Sequence, residues 1–110
     1  MFFNPIPIPS AGFVASAVLK TGRGRLLYLN AYNNNATVRY LMLFDAAALP
    51  ANGTVPLLMQ AMTATASIPK ELAFPPEGMT FVNGLVIAIS STPATLTIAA
   101  ADLSFTAGVA

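Results

Sequence analysis

Four carboxylates are the residues of this sequence that could perform acid–base chemistry: Asp45, Glu71, Glu77 and Asp102. Catalysis by paired carboxylates needs two of them in one cleft, and these four fall in separate turns or strand ends. The sequence has no histidine and no cysteine, which excludes Ser-His-Asp and Cys-His sites, ordinary zinc sites and disulfides. A calcium site would lack the regular ligand spacing of an acidic loop. We therefore expect no enzymatic activity, no cofactor and no metal site.

The densest charge lies in the segment KTGRGR, which runs from Lys20 to Arg25. Glycines let backbone amides approach an anion, and arginine offers a planar fork, so a phosphate or nucleic-acid contact is one interpretation. The full phosphate-loop pattern is absent, however, and polar residues commonly fill a turn between strands. Three interpretations stay open: a plain turn, a phosphate contact, or ion pairs between subunits made by Lys20, Arg23 and Arg25.

Tyr28, Tyr32 and Tyr40 are the other candidates for binding. Aromatic faces on a sheet can stack against bases or sugars. The same residues would serve equally as cross-strand packing pairs. The tyrosines therefore predict either a glycan-binding platform or ordinary sheet packing.

The elements that would position these residues begin with a predicted β-hairpin over residues 22–44. Its arms, GRGRLLYLNAY and ATVRYLMLF, are rich in β-branched and aromatic residues, and the NNN segment between them tolerates a tight reversal. Leu29 and Ala31 alternate with Tyr28 and Tyr32, but neither face of the predicted hairpin is polar. We expect the second face to be covered by another sheet, an arm or another subunit.

Turn residues recur every 8 to 12 positions along the rest of the chain, as in antiparallel sandwiches. The continuous apolar run from Leu85 to Ile89 is expected in the middle of the core. The predicted fold is an all-β antiparallel sandwich, jelly-roll or immunoglobulin-like, with six to eight short strands. It occupies residues 13–110 as one domain.

Residues 1–12 are expected to form an extended arm. Pro5, Pro7 and Pro9 exclude a central strand because proline lacks a backbone donor. The arm also carries Phe2, Phe3, Ile6 and Ile8, which are too apolar for a freely solvated tail. We predict that these four residues bind a neighbouring surface, and that the domain stays folded when residues 1–10 are deleted.

The chain is poor in charge: 8% of its 110 residues are charged and 55% are hydrophobic, whereas an ordinary domain has about 25% charged residues. A monomer of this mass exposes roughly 5,800 Å². Nine charged side chains cannot cover such a surface, so much of it is expected to be apolar contact surface. Prolines and polar residues interrupt the long uncharged runs, which argues against a membrane-spanning helix. The net charge of +1 does not favour nucleic acid.

The succession GRLLYLNAYN, ATVRYLMLFD and FPPEGMTFVNGLVIAIS, within residues 22–90, resembles small virion structural proteins of tailed bacteriophages. The resemblance implies an antiparallel β-sandwich that assembles on a capsid or tail, with no catalytic residues to carry over. The charge-poor composition and apolar arm favour a capsid decoration or cement protein. Such a protein is made in the host cytoplasm and binds the outside of the head. Its expected partners are the major capsid protein or other virion proteins, and copies of itself, for which we expect a trimer.

Two other functions fit the sequence. One is a tail, head-fibre or baseplate component that binds a host receptor or glycan through the tyrosines. The other is an enzyme or ligand-binding domain, which would require a closed cleft with a polar cluster.

Overall fold

The computed structural model describes residues 5–62, 70–72 and 74–110. These residues form nine strands and no helix, arranged as two antiparallel sheets. The predicted all-β antiparallel sandwich is therefore confirmed. The strands are β1 (Ile6–Pro9), β2 (Ser16–Thr21), β3 (Gly24–Asn33), β4 (Arg39–Phe44), β5 (Leu58–Met62), β6 (Lys70–Leu72), β7 (Met79–Phe81), β8 (Gly84–Ser90) and β9 (Leu103–Val109).

The first sheet has the order β1-β9-β3-β6, with β7 also pairing with β3, and the second has the order β2-β8-β4-β5. Their facing sides enclose the main core. The first sheet contributes residues such as Leu29 and Phe105, and the second contributes residues such as Leu43 and Ile87. Every residue of β8 is buried, which confirms the central place predicted for the run from Leu85 to Ile89.

The predicted β-hairpin is wrong, because β3 and β4 belong to different sheets. β3 pairs with β6, β7 and β9, whereas β4 pairs with β5 and β8. The asparagines form a corner that carries the chain from one sheet to the other. Asn33 Nδ2 donates to Thr37 O at 3.1 Å, and Asn35 Nδ2 donates to Asp102 Oδ2 at 2.8 Å. These bonds tie the corner to the segment before β9, so its closure depends on a residue distant in the sequence.

A register shift in β3 changes which side chains enter the core. The pairing with β9 shifts between Leu26 and Tyr28, so Leu27 is the extra residue. Leu26 is fully buried, although simple alternation places it on the same face as Tyr28. Beyond the shift the predicted alternation holds: Leu29 and Ala31 are buried, and Tyr28 and Tyr32 lie on the outer face.

The outer face of the second sheet is covered by the chain itself. Met42, Phe44 and Val86 are buried there against Leu96, which comes from the connection between β8 and β9. That connection is joined to the β4–β5 connection by Leu96 N to Thr54 O at 2.9 Å and Gly53 N to Leu96 O at 2.7 Å. The covering of this apolar face therefore requires no second subunit.

The segment expected to be an arm is extended but forms an edge strand. β1 pairs with β9 of its own chain, with Ile6 opposite Val109 and Ile8 opposite Ala107. The Ser10 amide donates to Phe105 O at 2.8 Å, and alternation places the Ile6 and Ile8 amides on that same inner side. The backbone nitrogens of Pro5, Pro7 and Pro9 point away from β9, so the donors that proline lacks remove no hydrogen bond between the two strands. Residues 6–9 are therefore part of the sandwich.

Candidate functional site

The three cations of the KTGRGR segment lie together at one end of the sandwich. Lys20 is the penultimate residue of β2 and Arg25 is the second residue of β3, with Arg23 in the turn between the two strands. They line a cavity of about 510 Å³ together with residues from β7, from the turn after it and from the last position of the chain: Gly24, Thr80, Phe81, Val82 and Ala110. We call this cavity the basic pocket. Its lining residues include no carboxylate side chain.

Glycine at position 24 is required by close packing at the base of the pocket. A Cβ atom there would lie 2.7 Å from Ala110 O and 2.8 Å from Phe81 Cζ. Arg25 and Ala110 exchange two backbone hydrogen bonds of 2.9 Å beside it. The small residue thus allows β3, β7 and the residue after β9 to converge, which brings the cations to the same place.

The three cations differ in their bonding. Arg25 Nη1 donates to the backbone oxygen of Glu77 at 3.0 Å, so this guanidinium helps to hold the 74–78 turn. Within the described part of the chain, the side chains of Lys20 and Arg23 make no hydrogen bond or salt bridge. Two cations beside an apolar floor can bind a carboxylate or a phosphate by charge-assisted hydrogen bonds. The predicted ion pairs between subunits stay a prediction, because a single chain cannot show them.

Asp45 lies near the pocket and has a structural role. Its carboxylate accepts the Asn83 amide at 2.8 Å and the Val82 amide at 3.1 Å, which fastens the turn between β7 and β8. The Asn83 amide, followed by those of Val82 and Gly84, holds the pKa of Asp45 below its ordinary value of 3.8, against a smaller opposing effect of burial. A carboxylate kept ionised in this way is poorly suited to acid–base catalysis.

The side chains of Asp45, Glu77 and Asp102 do not converge on one cleft. Asp45 follows β4, whereas Asp102 is bonded to the corner before β4, at the opposite end of that strand. Glu77 lies in the turn held by Arg25. Within residues 5–62, 70–72 and 74–110, no three metal-binding side chains lie together.

The tyrosines do not form one platform. Tyr28 and Tyr32 lie on the outer face of the first sheet, whereas Tyr40 packs on the outer face of the second sheet. The Tyr28 ring lies over Gly108, where a Cβ atom would come within 2.0 Å of Tyr28 Cε2. Tyr32 packs against Phe13, with 6.3 Å between ring centroids. The remaining feature is a hollow of about 130 Å³ lined by Asn30, Ala31, Tyr32, Ser104, Phe105 and Thr106.

The connection between β4 and β5 exposes apolar side chains that sequence reasoning did not identify. β5 begins at Leu58, and the residues before it form a loop. Val55 is 71% exposed and Leu57 is 50% exposed. They line a shallow cavity of about 270 Å³ with Phe44, Asp45, Ala46, Pro50, Thr54 and Pro56. We call residues 49–57 the apolar loop; Pro56 was its signal in the sequence.

The predicted partner-binding residues of the arm are only partly described. Phe2 and Phe3 lie outside the described residues. Ile6 is 67% exposed, whereas Ile8 packs against the main core of its own chain. Ile8 therefore stabilises the sandwich, and Ile6 stays accessible.

Searches for similar proteins found no match to a protein-family model, a curated protein or a solved structure. Among the described residues, no helix has the length and hydrophobicity needed to cross a membrane.

Proposed function

We propose that this chain is a bacteriophage virion structural protein, a capsid decoration or cement protein that binds the outside of the head. The observation that carries the proposal is the apolar loop, where Val55 and Leu57 are exposed beside a shallow cavity. Removing such side chains from water is worth about 25 cal/mol for each Å² buried. The loop would contact the major capsid protein or another virion protein, and contacts of this kind are repeated over a symmetric shell.

The character of the whole surface supports a contact role. Nine charged residues share an accessible surface of 5663 Å², which is close to the area expected for a compact chain of this mass. Large apolar side chains are exposed in several other places, among them Val18, Met59 and Val82. A surface with so few charges is suited to neutral contacts with neighbouring subunits.

The free edge of β1 supports discrete contacts over strand addition. Its outward positions are Pro5, Pro7 and Pro9, which cannot donate to an incoming strand. Contacts made by loops and by the ends of the sandwich can form a closed ring with a fixed number of copies, and a trimer on a shell is such a ring. The proposal therefore includes self-association into a trimer through side chains.

The test is sedimentation of the purified protein with undecorated heads of the phage that encodes it. We expect the full chain to co-sediment and the variant Val55→Asp/Leu57→Asp to stay in the supernatant. Val38→Asp is the matched control, because Val38 is 44% exposed at the opposite end of β4. Light scattering across a dilution series reports the trimer.

Equal binding by the loop variant and the full chain would contradict a contact through the apolar loop. Failure of the full chain to bind heads would remove the cement function. A monomer at every concentration would remove the trimer.

A second candidate function is a tail, head-fibre or baseplate component that binds a host glycan. The hollow beside Tyr32 favours it, because an aromatic ring next to Asn30, Ser104 and Thr106 offers stacking and hydroxyl hydrogen bonds. Binding to a glycan array that Tyr32→Ala abolishes and Tyr40→Phe retains would support this candidate over the cement protein.

A further inference from the structure

We propose that the basic pocket receives an acidic peptide segment of the protein on which this chain assembles. The segment would place carboxylates on Lys20 and Arg23 and an apolar side chain against the exposed Val82. This inference rests on the proposed assembly function and names the chemistry of the partner.

The first support is the distribution of charge. Three of the five cationic residues of the sequence line this one pocket. Arg39 lies instead near the asparagine corner, where its Nη1 donates to Thr37 Oγ1 at 2.6 Å. Lys20 and Arg23 have no bonding partner within the described ranges. A cation without a partner can form a charge-assisted hydrogen bond with a carboxylate of the binding segment, and this bond is strong where docking has removed water from both groups.

The second support is the apolar part of the lining. Phe81 is buried at 1% exposure and forms the floor, whereas Val82 is 57% exposed at the rim. A small inorganic anion would use the cations and leave the exposed Val82 side chain in water. A peptide with alternating acidic and apolar side chains would cover both, because successive side chains of an extended peptide point in opposite directions.

The extent of the positive surface favours a peptide over a nucleic acid. A phosphodiester backbone follows a stripe of cations, and its affinity grows with the number of phosphates contacted. Here Asp45 lies beside the Val82–Asn83 turn on one side, and Glu77 lies in the turn held by Arg25 on the other. The positive region is therefore confined to one cavity of about 510 Å³, which suits one or two carboxylates.

The test measures binding of a short acetylated peptide of alternating Glu and Leu to the full chain. Isothermal titration gives the affinity, and the amide chemical shifts of Gly24 and Val82 report whether the peptide occupies the basic pocket. We expect binding that weakens as salt is raised. The variant Lys20→Gln/Arg23→Gln should bind at least about tenfold more weakly. Arg39→Gln is the matched control and should bind like the full chain. The same peptide with Gln in place of Glu should not bind.

Three results would overturn the inference: no binding of the Glu peptide, equal binding by the pocket variant, or tighter binding of a short oligothymidylate. Inorganic phosphate that binds as tightly as the peptide would also overturn it, because the exposed apolar side chain of Val82 would then contribute nothing. Head sedimentation separates this inference from the proposed function. Heads bound without peptide binding would reject the acidic segment alone, and peptide bound without head binding would reject the cement function alone.

Discussion

Single residues in this chain hold turns together through bonds that span long sequence distances. Asp45 fastens the turn at Asn83, and Asn35 binds Asp102 across 67 positions. Ser90, fully buried, accepts the Thr97 amide at 3.0 Å and so holds the connection after β8. Charged residues are scarce in this chain, and each of these three polar side chains closes a connection between strands.

Asp45→Asn should destabilise the protein at neutral pH and have little effect in acid. The folded-state pKa lies below the ordinary value of 3.8, so the stabilisation is present above that value. It is lost as the pH falls through the lower, folded-state pKa. The difference in urea midpoint between the two proteins should therefore be full at about pH 6 and should shrink progressively as the pH is lowered below 3.8.

Glu77→Gln is the matched control, because it removes a carboxylate at the same end whose side chain makes no hydrogen bond within the described residues. A difference between Asp45→Asn and the full chain that persists unchanged in acid would show that the ionised form does not hold the turn.

At the scale of the element, β-strand character and facing could be predicted from the sequence, but the pairing of strands could not. Alternation correctly placed Leu29 and Ala31 on the opposite face of β3 from Tyr28 and Tyr32. It could not distinguish a hairpin from a crossing between sheets, because both use the same local pattern. The corner that carries the chain between the sheets is held in part by Asp102, which contacts the asparagines only in the folded chain.

The candidate site shows the same division. The cluster of Lys20, Arg23 and Arg25 was visible in the sequence as a charged turn between strands. Phe81 and Val82, which make the cluster a pocket, come from a different part of the chain. Their contribution depends on the pairing of β7 with β3, which is a long-range contact that local pattern does not encode.

Leu96→Ala should destabilise the sandwich by about 2–4 kcal/mol, because Leu96 fills the outer face of the second sheet and its truncation leaves a cavity. Leu96 is 1% exposed, against Met42 and Val86. Urea unfolding measures the change. Leu49→Ala is the matched control: Leu49 is 40% exposed, and its truncation should cost less than about 1 kcal/mol. Equal effects of the two substitutions would show that the connection does not seal the sheet.

At the scale of the whole molecule, the chain covers the apolar faces of its central strands with its own residues and still exposes apolar side chains in its loops. Both faces of β4 and β8, the central strands of the second sheet, are covered by the chain itself. The apolar loop and the basic pocket are distinct surfaces, one neutral and one cationic. They flank the Val82–Asn83 turn, because Asp45 lines the apolar loop's cavity and binds that turn. A partner could therefore contact both surfaces from the same end.

Two truncations separate the structural part of the N-terminal segment from its proposed binding part. Removing residues 1–4 should leave the urea midpoint unchanged, because β1 and its pairing with β9 stay intact. Removing residues 1–10 should cost on the order of 2–4 kcal/mol, since the β1 ladder, the packing of Ile8 and the Ser10 bond to Phe105 are lost together. That the domain stays folded without residues 1–10 therefore stays a prediction, with a smaller free energy of unfolding expected for the truncated chain.

Head sedimentation of the shorter truncation then tests the role predicted for Phe2 and Phe3. We expect the protein without residues 1–4 to fold normally and fail to co-sediment, because the apolar residues assigned to the neighbouring surface are gone while the sandwich is unchanged. The paired variant Phe2→Ser/Phe3→Ser keeps the length of the chain and should give the same result. Normal co-sedimentation of both proteins with heads would show that Phe2 and Phe3 are not needed, and that attachment depends on the apolar loop and the basic pocket.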